Sequence, residues 1–533
     1  MSASIARVLL ITALIGGGAA AAAAGPAAGY DLSPTAGATD INPDTHLVLT
    51  FRDAPSLGTS GLIRIIDTDT NRVVDTLDMG TPAGPAERGP LPGPPPGVSA
   101  DAATAARGLQ GPVAEPPAIG RVTNATAVAG TTPGHPHPSR EYQLTIIGGV
   151  QQGFHFHPVI IHGNVATIYP HNNLLDYRKT YRVEIDPGVL TVADGSFTGI
   201  GRDANWTFST KPSPPPATAT RLVVAADGTG DFCTVQGALD FVPDHPAERV
   251  TIFIRNGSYE EIVFFHDKSN LTLRGEDREQ VQIGYGNNSR FNSPYQADAE
   301  GHLLLGPSRR CAFAIYHSTG IVLTNFTVSN TARGQAEALM IVGSRNLVSE
   351  VTINGSGDAL DLRGPVYFAH CRIQGDGDTI LNAGPAFFHR CELSSRGPYL
   401  WVRNPATNHG DVFVECAFDT PPGVQPPSGR AAGSVIARHP DNHGVNYPYA
   451  EAVLINCRLR GIAPEGWGPI DGDTENLHFW EYASTNLSDG APVDVSRRHP
   501  ASKQLTMEKD AAVIAAYSDP AFVLDGWKPE LQR

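Results

Sequence analysis

Residues 355–373 and 375–393 are two near-copies of one segment, GSGDALDLRGPVYFAHCRI and GDGDTILNAGPAFFHRCEL, twenty positions apart. Apolar ends, Gly-rich corners and no helical periodicity make such a repeat the signature of stacked β coils rather than of a bundle or an open sheet. The offset sets Asp358 against Asp378. Neighbouring parallel strands lie about 4.8 Å apart, so aspartates at one phase of consecutive coils are neighbours in space. Two close carboxyls drive their proton affinities apart, which yields one proton donor and one anion. The same residues after Gly also suit plain corners, where Asp accepts backbone N–H bonds.

The repeat extends in both directions. Cys371, Cys391, Cys416 and Cys457 stand in the matching phrases YFAHCRI, FFHRCEL, VFVECAF and VLINCRL. Equivalent positions 326, 351, 371, 391 and 416 are separated by steps of 25, 20, 20 and 25 residues, the coil size of a parallel β-helix. Residues stacked in parallel strands hold their Cβ atoms farther apart than the ~3.8 Å a disulfide prefers. The four cysteines therefore read as a buried column of free thiols, with Cys233 and Cys311 open. Short apolar runs at Val250–Ile254, Asn270–Arg274, Ile321–Val328 and Leu347–Ile353 supply further strands. CTVQGALDFV (233–242) has helical spacing and suits a cap at the start of the solenoid, and 507–517 a helix near its end, each covering an otherwise unpaired sheet edge.

With 533 residues the chain exceeds one ordinary domain. Met1 to about Ala24 reads as a secretory signal: Arg7, the apolar run Val8–Ile15, then Ala-rich cleavage options. A secreted or periplasmic protein is expected, with no membrane span because no later apolar run approaches eighteen residues. A net charge of −15 and the lack of a dense Lys/Arg block argue against nucleic acid as a partner.

Residues 31–210 carry alternating runs such as His46–Phe51, Leu62–Ile66 and Tyr181–Ile185 between turn residues, a β-sandwich pattern. The D-L-S-P-T opening and the WTFST close at Trp206–Thr210 resemble the bacterial Ig-like domains. A Pro/Gly/Ala-rich stretch at about 80–138 interrupts the pattern and is expected to be a disordered insertion. His155 and His157 alternate onto one strand face. With no Cys or carboxylate near them in sequence to complete a metal site, they read, together with His162 and His171, as ordinary exposed histidines. Lys211–Thr220, KPSPPPATAT, is a semi-rigid linker, which predicts that a chain starting near Arg221 folds by itself.

From 221 to 533 an ordered series of motifs resembles the pectin methylesterase (pectinesterase) family. VVAADGTGDFCTVQGALDFVP has its opening form, GSYEE (257–261) its G-x-Y-x-E, and Gln335-Ala336-Glu337-Ala338-Leu339 its Q-A-V-A-L. Gly355–Leu360 aligns with G-Y-Q-D-T-L and Gly375–Leu381 with G-T-V-D-F-I-F. Arg438 falls on the arginine of L-G-R-P-W, and IAPEGW (462–467), SKQLT (502–506) and a closing GWKP complete the order. The resemblance implies a right-handed parallel β-helix acting on pectin without metal or cofactor, as a monomer. It implies Asp378 as nucleophile, Asp358 as general acid and base, Gln335 as oxyanion donor and Arg438 as the partner of Asp378. Arg403, thirteen residues before Cys416 as Asp378 is thirteen before Cys391, rivals Arg438 for that place. Trp401 and Trp467, with Arg403, are the candidate substrate contacts.

The chain departs from the family at Gly357, where a Gln is expected before the acid/base, and at His439-Pro440, which follow Arg438 in place of P-W. Asn408-His409-Gly410 and Asn442-His443-Gly444 leave a polygalacturonase-type glycosidase as an alternative. Gly357 leaves a non-catalytic pectin-binding β-helix.

Overall fold

The computed structural model describes residues 29–85, 141–150, 152–292, 307–423, 434–439 and 446–531. The expected signal at 1–24, the expected insertion beyond residue 85 and the 442–444 motif lie outside them.

From Arg221 the chain winds as the expected right-handed parallel β-helix, with sheets of eleven, nine and seven strands. Each of the seven coils between Val250 and Arg438 contributes one strand to each sheet, and the end coils add strands to the first two sheets only. One coil runs Val366–Ala369, Arg372–Gly375 and Ile380–Asn382, and the next Ala386–His389, Glu392–Ser395 and Leu400–Val402, paired in parallel register. Inward residues stack in columns: the Phe368 ring lies 4.8 Å from Phe388, and Phe388 4.5 Å from Phe413. All six cysteines are buried free thiols.

The first sheet turns into the second through one residue in left-handed conformation, at Asn325, Glu350, His370, Arg390, Glu415 and Asn456. Such a φ is costly for a non-glycine residue, and here the coil below fixes it, as where His370 N–H donates to His389 O at 3.1 Å. The residue after each turn points inward; these are Phe326, Val351 and the four column cysteines, all buried. This turn corrects two expected strands. Ile321–Val328 folds as Val322–Thr324 and Thr327–Asn330, and Leu347–Ile353 as Asn346–Ser349 and Thr352–Asn354.

Helix α1 (Val235–Phe241) closes the first coil, burying Val235, Ala238 and Leu239 in the solenoid core. Its free N–H groups are met by two carboxylates: Asp44 accepts from Cys233 and Thr234 at 2.9 and 2.8 Å, and Glu261 from Val235 and Gln236 at 2.8 and 2.9 Å. Helix α2 (Met507–Tyr517) lies against the far end of the first sheet.

Residues 29–85 and 141–210 form two main sheets, ordered Tyr30–Ser33, Leu47–Phe51, Val165–Ile168, Val159–His162 and Ala38–Ile41, Thr207–Thr210, Thr180–Ile185, Leu62–Asp67, Arg72–Asp78. Their inner faces share a core around fully buried Trp206. Beside this sandwich, Ile147, Val150 and Phe154 pack on Ile262, Phe264 and Tyr316 of the β-helix in a second apolar cluster.

Candidate active site

Alternate residues of the third sheet face outward, and their character changes along the solenoid. Phe264, Ala314, Tyr316, Met340 and Val342 are covered by the 147–154 segment. Further along, the outward positions become Asp361, Arg363, Leu381, Trp401 and Arg438, in a register that pairs Asp361 with Leu381, Leu381 with Trp401 and Trp401 with Arg438. This part of the sheet thus carries charge on its outward side, with Asp361, Arg363 and Leu381 buried and Trp401 and Arg438 partly exposed.

Asp358 and Asp378 stand at the edge of this face, in the tight connection from second to third sheet. Gln335, Gly357 and Gly377 are bridged in successive coils, and Asp358 N–H donates to Gly377 O at 3.2 Å. Both aspartates are left-handed, with φ of 60° and 41°, a conformation Asp tolerates better than most residues and one that concentrates at functional sites. The coil stack thus sets them side by side, as the twenty-residue offset predicts.

Their surroundings differ. Arg438 grips Asp378 with both ends of its fork, Nε lying 2.5 Å from Oδ1 and Nη2 contacting Oδ2. Both side chains stay about one-fifth exposed, within reach of a ligand. The Arg438 guanidinium lies 4.4 Å from the Trp401 ring centroid, a cation–π contact that holds the fork in place. Asp358 is buried. Burial pushes its carboxyl up, Arg310 pulls it part of the way back and the Asp378 charge adds to the rise, leaving it at about 6. One carboxyl thus holds its proton to a higher pH than an ordinary aspartic acid, and the other is oriented by an arginine.

Beneath the pair runs a layer of buried charge that the sequence reading did not find. Arg310 Nη2 contacts Glu337 and lies 3.4 Å from Asp358 Oδ2. Asp361 lies 3.3 Å from Arg363 and 3.8 Å from Arg403. A signal for Glu337 was present: it stands where the Q-A-V-A-L segment has Val, a charge in a run of small apolar residues.

Other expected site residues are placed as follows. Arg403 is 4% exposed and contacts Asp361, so it neither takes the place of Arg438 nor reaches a substrate. Trp467 is 1% exposed and stacked on Phe479, which leaves no ring face for a sugar. Trp401 is half-buried beside Arg438, and Gln335 is half-buried at the phase of Gly357. His409 of the Asn-His-Gly motif pairs with Glu451 near helix α2, away from the aspartates. The exposed-histidine reading holds for His162, which meets Glu260 at 2.9 Å, but not for His155 and His171. His155 is buried with Nδ1 3.2 Å from Gln143 O and its backbone N–H bound to Asn292 of the solenoid, and His171 is buried 2.7 Å from Asp75 of the sandwich. Among the described residues no three His, Cys, Asp or Glu side chains converge as metal ligands.

A profile described as Pectinesterase matches residues 221–523. Pectinesterase QRT1 of Arabidopsis thaliana is 31% identical over 186 residues, covering 33% of this chain and 47% of that protein. Probable pectinesterase 8 of the same plant is 24% identical over 326 residues, 56% of this chain and 74% of that one. The chain thus spans under half the length of the first of these relatives. Among solved structures, pectin methylesterase PemA from Erwinia chrysanthemi aligns with a TM-score of 0.45 at 21% identity, over 58% of this chain and 98% of that one. The enzyme from carrot aligns with a TM-score of 0.46 at 23% identity, over 57% and 93%.

Proposed function

Since the chain belongs to the pectinesterase family, we propose that it is a carboxylic ester hydrolase that removes C6 methyl esters from polygalacturonate, with Asp378 as nucleophile and Asp358 as general acid and base. The observation that carries this reading is the pairing, on adjacent coils, of an arginine-oriented carboxylate with a buried carboxyl held near 6. An Asp378 oxygen attacks the ester carbonyl carbon, whose π electrons move onto the carbonyl oxygen. Gln335 donates a hydrogen bond to that oxyanion. As the carbonyl reforms, the C–O bond to methoxide breaks and Asp358 gives its proton to the departing oxygen. Methanol leaves, and the galacturonate acyl group remains on Asp378 as a mixed anhydride. Asp358, now ionised, takes a proton from water as it attacks; the anhydride opens, and both aspartates return to their starting states. Trp401 at the mouth of this site suits contact with a sugar face. Export through the segment 1–24 fits a polymeric substrate outside the cell.

Incubation with highly esterified pectin tests the reading. Methanol should accumulate with no new reducing ends. New reducing ends would mark a glycosidase, and tight binding without methanol a non-catalytic β-helix.

A further inference from the structure

Glu337 is fully buried two residues from Gln335 and touches the same guanidinium nitrogen that lies 3.4 Å from Asp358. The groups around Asp358 are Arg310, Asp361, Asp378 and Arg403, with Glu337 across Arg310, Arg363 bound to Asp361 and Arg438 to Asp378. Four guanidiniums therefore face four carboxylates. With all eight charged the cluster is neutral; without Glu337 it would carry an excess positive charge beside Asp358, and an excess cation favours the ionised acid. Asp358 must hold a proton to release methanol.

We propose that Arg310 and Glu337 are positioning residues for Asp358, Glu337 drawing the Arg310 charge toward itself so that Asp358 keeps the proton the leaving group needs. This rests on the reading of Asp358 as the acid and base. Burial raises the Glu337 carboxyl as well and Arg310 draws it back; because the shorter contact of Arg310 is to Glu337, we assign the negative charge of the pair to Glu337 and the proton to Asp358. The two carboxyls share one cation and titrate as a pair.

The test is a titration of Asp358 in the full-length protein labelled with ¹³C at the aspartate carboxyls, its signal identified by its absence in Asp358→Asn. Glu337→Gln is close in shape and should strengthen Asp358 as an acid about tenfold, moving its midpoint roughly one pH unit down. Arg310→Met should move it up, and Arg310→Lys, which keeps the charge, should stay near the parent. In methanol release, the alkaline limb of kcat should move in the same directions. A midpoint unmoved by Glu337→Gln, or moved in the same direction by Glu337→Gln and Arg310→Met, overturns the inference, since loosened packing has no reason to give opposite signs. Should Glu337→Gln not fold, Glu337→Val carries the same expectation. If the parent releases no methanol, the reading of function fails, while the carboxyl titration still decides the role of Glu337.

Discussion

Two aspartates of identical backbone phase acquire different chemistry because their side chains meet different neighbours. Arg438 holds Asp378 open to solvent, and burial holds Asp358 near 6. Where acylation limits turnover, kcat should be high below that value and fall as the pH rises through about 6, because only protonated Asp358 can protonate methoxide; a flat profile from 5 to 8 would remove Asp358 from that role. Gly357 stands where the resemblance leads one to expect a Gln, and its surroundings account for the glycine. A Cβ there would lie 2.8 Å from the Gly334 carbonyl oxygen, a backbone atom that cannot step aside. Gly357→Gln is therefore expected to lower methanol release and to cost about 1–3 kcal/mol in stability, read from denaturant unfolding. A rate gain would mean that the site lacks a donor it could use.

At the scale of elements, the coil repeat was legible because it is local: the twenty-residue offset, the cysteine phrases and both helices are patterns within one stretch of chain. What joins coils across long separations was not. Arg438 lies sixty residues from Asp378; the motif resemblance points to it, but its preference over Arg403 becomes visible only in the strand register that pairs Leu381 with Trp401 and Trp401 with Arg438. Trp467 matched a motif, yet its ring is stacked on Phe479 in the core, since a motif carries no sign for which face of a coil a side chain takes. Helix α2 is docked by a comparable long-range cluster. Buried Glu451 meets His409 and His478 at 2.8 Å and accepts from the Tyr517 hydroxyl at 2.5 Å. Burial alone would raise this carboxyl, but the hydrogen bonds from His409, His478 and Tyr517 bring it down to about 2. A lowered folded value contributes stability above the ordinary 4.5 that is lost as the pH falls through about 2. Hydrogen-exchange protection of 507–517 should therefore fade between pH 4 and pH 2, ahead of the central coils. Glu451→Gln should cost about 3 kcal/mol at neutral pH, as removal of one partner from a buried ionic cluster does.

For the whole molecule, the change of texture at the Pro-rich linker predicts two parts, and the structure adds a junction that composition could not reveal. Asp44 of the sandwich serves the N-terminus of α1 in the solenoid, and the 147–154 segment covers the apolar part of the third sheet. At Gly148, with φ of 56°, a Cβ would lie 2.4 Å from Phe264 O, so the two parts meet at backbone contact. A chain beginning at Arg221 should accordingly melt lower than the full chain and associate through the uncovered Phe264–Tyr316 face, as calorimetry and light scattering would show. An unchanged melting temperature in a monodisperse sample would make the junction incidental.

The most direct measurement is methanol release from esterified pectin by Asp378→Asn, compared with the parent at equal melting temperature. The nucleophile assignment predicts a loss of at least about a thousandfold in kcat, since an amide cannot form the acyl intermediate. Turnover near that of the parent in the folded variant would contradict it.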